Sequence, residues 1–244
     1  MWCKSLVIVV TLALCGANHA LALTNLVQNP SFETVSTQTV NGFAGIVEVP
    51  TSWTQTGSNG CAFQALQAGQ TTQTGADFTI GTNASLPTDG VRVLISDQGP
   101  ANTSCQIYQD VALPAASTST LTLDAGFVFS NNASPGSNAS VAVTTTGGVL
   151  IATVYSRTDV QGTDPLATRP SVDLSAHPGQ TVRIIGTVNE HGSNWAGLQI
   201  DNVTLFAAPA ATATAVATLN EWMLALLAGL LLIAGIVTVR QHRR

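Results

Sequence analysis

The stretch "TVRIIGTVNEHGSNWAGLQIDNVTLF", Thr181–Phe206, decides the fold that the sequence predicts. Its two ends, Thr181–Val188 and Ala196–Phe206, alternate apolar and polar residues, which is the pattern of strands with one buried face. The residues between them include Gly, Ser and Asn, which turns require. The stretch therefore predicts two strands joined by a loop.

More runs of the same kind precede this stretch. They are Val91–Ser96, Cys105–Val111, Ser119–Ser130, Ala139–Thr146 and Val149–Tyr155. Segments rich in Gly, Pro, Asn and Ser separate these runs, and no amphipathic helical stretch occurs before the C-terminal tail. Many short strands at this spacing are typical of a β-sandwich or barrel, so the sequence predicts an all-β domain.

The charge of the central part excludes one class of partner. Residues 23–217 contain no Lys, four Arg and twelve acidic side chains, which gives a net charge of −8. Binding to nucleic acid needs clustered cations that neutralise phosphates, and this segment has none. The balance is compatible with cation binding or with a neutral glycan surface.

The N-terminal residues 1–22 have the pattern of a secretory signal peptide. A basic residue, Lys4, precedes a short apolar run and the small residues Ala20 and Ala22. The apolar run is too short to cross a bilayer. We expect cleavage after Ala22, with Ala20 as the alternative site. Lipidation at Cys15 is the rival interpretation, although the residue before it is not small.

Removal of the signal peptide leaves two cysteines in the exported chain, Cys61 and Cys105. An even pair of cysteines in an exported protein predicts a disulfide, because oxidising compartments let such a bond persist. Two buried free thiols are the alternative.

Two segments bracket the central domain in a recognisable way. They are "NLVQNPSFET", Asn25–Thr34, and the longer stretch Val172–Phe206, which contains "DLSAHPGQTVRI" and "IDNVTLF". Together they resemble the galactose-binding-like jelly rolls, a superfamily that includes many carbohydrate-binding modules. The resemblance implies an antiparallel jelly-roll β-sandwich over residues 23–206, with its first and last strands side by side.

The resemblance also implies a structural Ca²⁺ ion. In the family the positions that correspond to Glu33 and Asp201 often ligate calcium, and the jelly roll brings these two residues toward each other. Two carboxylates that meet repel each other unless a cation or a proton intervenes, and oxygen ligands suit Ca²⁺. The alternative is that Asp201 caps a turn while Glu33 is solvated.

If the glycan-binding role of the family applies, aromatic side chains should serve as platforms for sugar rings. The candidates are Trp53, Tyr108 and Trp195, together with Tyr155, because each lies in or beside polar sequence. For each of them, packing in the core is the alternative.

The sequence lacks the motifs of common enzyme classes, including the nucleophile elbow, the phosphate-binding loop and zinc-ligand spacing around His177 or His191. Carboxylates that could hydrolyse glycosidic bonds exist at Glu33, Glu48 and Glu190, but nothing in the sequence places two of them on one bond. We therefore expect no catalytic role.

The C-terminal tail predicts a membrane segment. An Ala/Thr-rich linker, residues 207–217, is followed by an uncharged apolar run at 222–239 that is long enough to span a bilayer. The basic end, with Arg240, Arg243 and Arg244, is expected to stay in the cytoplasm.

The border of this tail resembles the bacterial IPTL-CTERM sorting domain. The predicted sorting signal covers residues 218–244. Four of its first residues match the signature of that family at the same spacing: Thr218, Leu219, Glu221 and Trp222. The last of them, Trp222, begins the apolar run. The resemblance implies an exosortase-like processing enzyme as partner and a Gram-negative source. The domain would pass through a single-pass membrane intermediate to the cell envelope, the surface or the extracellular matrix. A permanent anchor is the alternative.

The sequence as a whole thus predicts an exported, non-catalytic surface or matrix protein that binds polysaccharide. One alternative is a structural surface protein without a specific ligand, anchored by its C-terminal helix. The other is a secreted glycan-active enzyme.

Overall fold

The computed structural model describes the central domain and little of the two ends. The described residues are 23–39, 46–57, 61–72, 78–97, 103–115, 117–129, 136–191 and 196–209, with two helical pairs at 225–226 and 229–230. The predicted signal peptide, the sorting motif, the basic end and Trp195 lie outside these residues.

The described part of the chain forms thirteen strands and one 3₁₀ turn, Asp159–Gln161. The strands are β1 (Val35–Thr39), β2 (Ile46–Pro50), β3 (Thr54–Gly57), β4 (Ala62–Gln67), β5 (Arg92–Asp97), β6 (Ser104–Ala112), β7 (Ser117–Phe129), β8 (Asn138–Thr145), β9 (Leu150–Thr158), β10 (Asp164–Thr168), β11 (Val172–Asp173), β12 (Thr181–Asn189) and β13 (Ala196–Pro209). All seven runs that the sequence predicted as strands are strands.

The strands form two large sheets and a small one. The six-stranded sheet has the order β10-β7-β13-β5-β4, with β11 also paired to β7, and the five-stranded sheet has the order β3-β6-β12-β8-β9. A separate hairpin joins β1 and β2. The paired strands all run antiparallel, which confirms the predicted antiparallel all-β sandwich.

The alternation in β12 shows how the sequence builds the core. Val182, Ile184 and Val188 are buried against the other sheet, while Arg183, Ile185 and Thr187 face outward. Gly186 stands at an inward position because a Cβ there would lie 2.8 Å from Cδ1 of Ile200 on β13. The glycine thus lets the two sheets approach, since their side chains interdigitate at close to crystal density.

A covering segment, residues 78–86, closes the outer face of the six-stranded sheet. Phe78, Ile80 and Ala84 form a second apolar cluster there with Val93 and Ile95 of β5 and further residues of the sheet. Gln199 on β13 fixes the segment, because its Oε1 accepts a hydrogen bond of 3.0 Å from the Ser85 amide. Within the described residues, the five-stranded sheet is therefore the large sheet whose outer face remains open.

The N-terminal segment lies beside the last strand, as the family resemblance implies. Asn25 forms a β-bridge with Phe206, and the amide of Leu26 donates to the carbonyl of Leu205 at 2.9 Å. The Asn25 side chain also donates to the carbonyl of Val203 at 3.0 Å. Strand β13 continues to Pro209, three residues into the expected linker, where it still pairs with the start of β7.

The predicted disulfide is confirmed. Cys61 precedes β4 of the six-stranded sheet and Cys105 lies in β6 of the five-stranded sheet, and the two residues are bonded with a Cα–Cα distance of 5.6 Å. Both residues are buried, so the bond ties the two sheets together inside the core.

No helix in the part of the chain that the structure describes has the length and apolar character needed to cross a membrane. The predicted span, 222–239, lies almost wholly outside that part.

Candidate functional site

Asp201 holds the loop that connects the covering segment to β5. Its Oδ2 accepts hydrogen bonds from the backbone amides of Thr88 at 2.7 Å and Asp89 at 3.1 Å. Its Oδ1 accepts a third from the amide of Asn202 at 2.8 Å. The side chain of Asp201 is fully buried, so these bonds replace the water that the carboxylate loses on folding.

Glu33 holds the next residues of the same loop. Its Oε1 accepts hydrogen bonds from the amides of Val91 at 2.7 Å and Arg92 at 2.9 Å. Gly90 lies directly against this carboxylate, with a φ of +67° and room for no Cβ, which would lie 2.2 Å from Oε1. Glu33 and Asp201 are thus both bound to the single segment 88–92, although the two carboxylates contact different amides.

Asp124 is a second buried carboxylate at this place, and the sequence did not reveal it. It lies opposite Asp201 in the register of β7 and β13. The hydroxyl of Thr88 lies 2.5 Å from Oδ2 of Asp124 and 3.1 Å from Oδ2 of Asp201, and its one hydrogen can serve only one of them fully. The other oxygen of Asp124, Oδ1, is buried and has no hydrogen-bond partner among the described residues.

Burial raises the pKa of the Asp201 carboxyl to about 6, and the hydrogen bonds from Asp89, Thr88 and Asn202 limit this rise. Two buried carboxyl groups, Asp201 and Asp124, thus stand opposite each other, and Oδ1 of Asp124 has no hydrogen-bond partner among the described residues. The described residues contain no group of three or more His, Cys, Asp or Glu side chains arranged to hold a metal. A cation here would depend on the predicted carboxylates and on backbone oxygens.

The open face of the five-stranded sheet is the second candidate site. Two adjacent rows of side chains cross all five strands on this face, and none of their members is charged. The first row consists of Thr54, Tyr108, Ile185, Ala142 and Thr153. The second row consists of Thr56, Gln106, Thr187, Ser140 and Ser156. All are partly or fully exposed, so the face offers hydroxyl and amide groups around one aromatic ring.

The ring of Tyr108 is held in place by an ion pair. The guanidinium of Arg183 on β12 stacks on the ring at 3.8 Å from its centroid. The same guanidinium donates to both carboxylate oxygens of Asp110, at 2.7 Å and 2.9 Å. This hydrogen bonding holds the pKa of Asp110 below its ordinary value, so the carboxylate stays ionised at neutral pH. Stacking and ion pairing together fix the orientation of the ring.

A groove of about 460 Å³ lies beside Tyr108 at the edge of the five-stranded sheet. Strand β3 pairs with residues 105–108 of β6 and, in the described part of the chain, leaves residues 109–112 at that edge without a strand partner on this side. The groove runs along these residues. Its lining is mixed: the apolar members are Leu26, Val111 and Ala112, and the polar members are Gln28, Ser52, Thr54, Tyr108, Gln109 and Asp110. A volume of this size is typical of sites for small molecules, roughly 300–1,000 Å³.

Two other aromatic residues that the sequence suggested as platforms, Trp53 and Tyr155, are buried. Trp53 is not a surface platform, because it is only 6% exposed and packs on Phe32 at 5.3 Å between ring centroids. Its indole N–H donates to the carbonyl of Asn29 at 3.3 Å. Tyr155 is likewise buried, with the guanidinium of Arg169 over its ring. Of the predicted aromatic residues within the described chain, Tyr108 alone lies on the open face.

Two of the carboxylates considered for catalysis, Glu33 and Glu48, both contact Arg92, and neither lines the groove beside Tyr108. Glu48 accepts a 2.6 Å hydrogen bond from Arg92 at the six-stranded sheet. Glu190 is buried just after β12, and its backbone amide donates to the carbonyl of Thr103 at 2.8 Å. Glu190 does not line the groove either.

No protein-family model matches the chain, and no curated protein matches it. Among solved structures, the chain is similar to TmCBM61 in complex with β-1,4-galactotriose, with a TM-score of 0.43, 17% identity, and coverage of 76% of this chain and 99% of that chain. It is also similar to the K1 cleaved adhesin domain of Lys-gingipain from Porphyromonas gingivalis W83, with a TM-score of 0.40, 15% identity, and coverage of 73% and 95%.

A third similar structure is the arabinose-bound α-L-arabinofuranosidase MgGH51, with a TM-score of 0.42, 16% identity, and coverage of 75% of this chain but only 26% of that chain. The similar structures thus include carbohydrate-binding modules and adhesin domains of β-sandwich type, as well as parts of enzymes. The ligands named with them belong to those proteins.

Proposed function

We propose that this protein is an exported, non-catalytic domain that binds polysaccharide on the open face of its five-stranded sheet. The observation that carries the proposal is the position of Tyr108, an aromatic ring fixed by Arg183 amid uncharged hydroxyl and amide side chains. A sugar ring offers C–H groups on its faces and hydroxyls at its rim, so it suits a surface with one aromatic platform and many hydrogen-bonding groups.

A binding assay tests this proposal. The full chain, purified in a detergent without a sugar headgroup, should retain at least one polysaccharide on a glycan array. Tyr108→Ala should then weaken binding by about thirtyfold or more, because loss of an aromatic anchor commonly costs about 2 kcal/mol or more. Tyr108→Phe keeps the ring and should bind within about twofold of the parent. Retention of no glycan by a folded chain would contradict the proposal.

We also propose that Ca²⁺ binds beside Glu33 and Asp201 as a structural ion, which would stabilise the fold and take no part in catalysis. The support is the convergence of both carboxylates on the segment 88–92 and the buried oxygen of Asp124 that has no partner among the described residues. A hard cation that takes oxygen ligands would give the buried oxygen of Asp124 a partner and would neutralise carboxylates at this place.

Thermal unfolding tests the calcium proposal. After treatment with EDTA, calcium at 100 times its Kd should stabilise the fold by about 2.7 kcal/mol, which is roughly 5–10 °C in Tm for a domain of this size. Magnesium at the same concentration serves as the control cation, and Glu33→Gln should reduce the calcium effect. An unchanged Tm up to 10 mM Ca²⁺, on the order of ten times the weakest dissociation constants of extracellular calcium modules, would exclude the ion.

We further propose that the chain is exported and then processed at its tail. The disulfide between Cys61 and Cys105 supports an oxidising destination outside the cytoplasm. The motif residues Thr218, Leu219, Glu221 and Trp222 nominate an exosortase-like enzyme as the partner that handles the tail, with delivery to the envelope or matrix of a Gram-negative bacterium.

Mass spectrometry of the mature protein decides this point. We expect an N-terminus at Leu23 and loss of the residues after the sorting motif in the mature population. Glu221→Ala with Trp222→Ala should leave a longer chain in the membrane fraction. Arg244 retained on all copies of the unaltered protein would show a permanent anchor.

A further inference from the structure

We propose that the groove beside Tyr108 accepts an uncharged sugar unit and rejects uronic acid and sulfated units. This inference rests on the proposed function, because it names the class of polysaccharide that the open face can bind. It follows from where the few cations of the domain are and from what they contact.

The arginines of the domain are committed to other partners. Residues 23–217 contain no Lys, and the structure describes all four Arg of this segment. Three of them form ion pairs: Arg92 with Glu48, Arg169 with Asp164, and Arg183 with Asp110. The fourth, Arg157, donates to the carbonyls of Gly162 and Gln161 at 3.2 Å and 2.6 Å. It lies on β9, the edge strand opposite to the groove.

The groove lining contributes one carboxylate, that of Asp110, and no cationic side chain, and the cation paired with Asp110, Arg183, is already engaged by it. The Asp110 side chain lines it, while Arg183 stacks on Tyr108 and is not part of the lining. An acidic sugar would therefore bring its carboxylate toward Asp110 without a free cation to pair with. Repulsion from Asp110, reduced by its pairing with Arg183, adds to the cost of desolvating a carboxylate that gains no cation, and together these effects should weaken binding about tenfold at low salt.

The walls of the groove are fixed before a ligand arrives. The Gln109 side chain accepts a hydrogen bond from the amide of Gln28 at 2.8 Å and donates to the carbonyls of Gln28 at 2.9 Å and Ser52 at 3.0 Å. It thus joins the N-terminal segment to the residues that precede β3. A groove that needs little ordering on binding can select between ligands by charge and shape.

Matched pairs of oligosaccharides test the inference. The full chain is titrated with β-1,4-glucan and β-1,4-glucuronan oligomers, β-1,4-mannan and β-1,4-mannuronan oligomers, and β-1,4-galactan and its sulfated form. In each pair that binds, the neutral member should bind about tenfold more tightly at low salt, and added salt should reduce the difference. Asp110→Asn removes the carboxylate and frees Arg183, so it should reduce the preference to about threefold or less. Asp173→Asn changes the net charge equally at the exposed end of β11 and should keep the preference of the parent.

The possible outcomes separate this inference from the proposed function. Retention of neutral and acidic members with equal affinity would overturn the inference and leave polysaccharide binding intact. Equal preferences in Asp110→Asn and Asp173→Asn would show that the selection does not occur in the groove, which also overturns the inference. If the folded, unaltered chain binds none of the oligomers, and none of them changes its Tm, the result would instead contradict the proposed function.

Discussion

Replacement of both Cys61 and Cys105 by alanine is expected to lower the free energy of unfolding by about 4 kcal/mol. The bond links residues 44 apart in sequence, and in the chain-entropy account a cross-link of that length removes about this much freedom from the unfolded chain. Denaturation with urea, followed by tryptophan fluorescence, to which the buried Trp53 contributes, measures the change.

The unaltered chain under reducing conditions is the matched control, because it loses the cross-link but keeps both side chains. Its stability should fall by nearly the same amount as that of the alanine variant. If the reduced protein and the variant both unfold at the same urea concentration as the oxidised protein, the bond contributes nothing to stability.

The substitution Asp201→Ala is the second change with a large expected effect. It removes the acceptor of three backbone hydrogen bonds, from Thr88, Asp89 and Asn202. Hydrogen bonds to a charged acceptor contribute about 1.5–3 kcal/mol each. Partial exposure of the loop, and the desolvation of the carboxylate that the alanine no longer incurs, offset part of this loss. We expect a net loss of about 3 kcal/mol in the presence of EDTA.

Hydrogen exchange shows whether the loss arises at the loop. The amides of residues 88–92 should exchange faster in Asp201→Ala, whereas those of β12 should follow only global unfolding. Asp201→Asn is the isosteric control and should lose less stability, because its amide oxygen still accepts from the loop. Unchanged exchange at Thr88 and Asp89, with unchanged stability, would show that Asp201 does not hold the loop.

The sequence predicted β12, whose two faces differ, and it missed β4, whose two faces are both buried. In β12 every second residue is buried, so the alternation is visible in the sequence. In β4, Ala62, Phe63, Gln64, Ala65 and Leu66 are all buried, because the covering segment closes the outer face of the sheet. A strand with both faces buried has no alternation to read.

The candidate sites were predicted only in part, because a single sequence does not show which distant residues meet in the fold. Glu33 and Asp201 were found by their place in family motifs, and the fold binds both to the segment 88–92. Asp124 became visible only through its register with Asp201, which one sequence does not specify. Trp53 was misjudged because its polar neighbours in sequence say nothing about Phe32, the distant residue on which it packs.

The position of β13 has a mechanical consequence. This strand lies between β7 and β5 in the middle of its sheet, and the Asn25 side chain ties the N-terminal segment to it. Tension applied through the residues after Pro209 would therefore enter a central strand along its own axis. Its hydrogen bonds to β7 would then be loaded together in shear instead of being opened one at a time. A domain held by its C-terminal end against flow would resist unfolding at the point where it is attached.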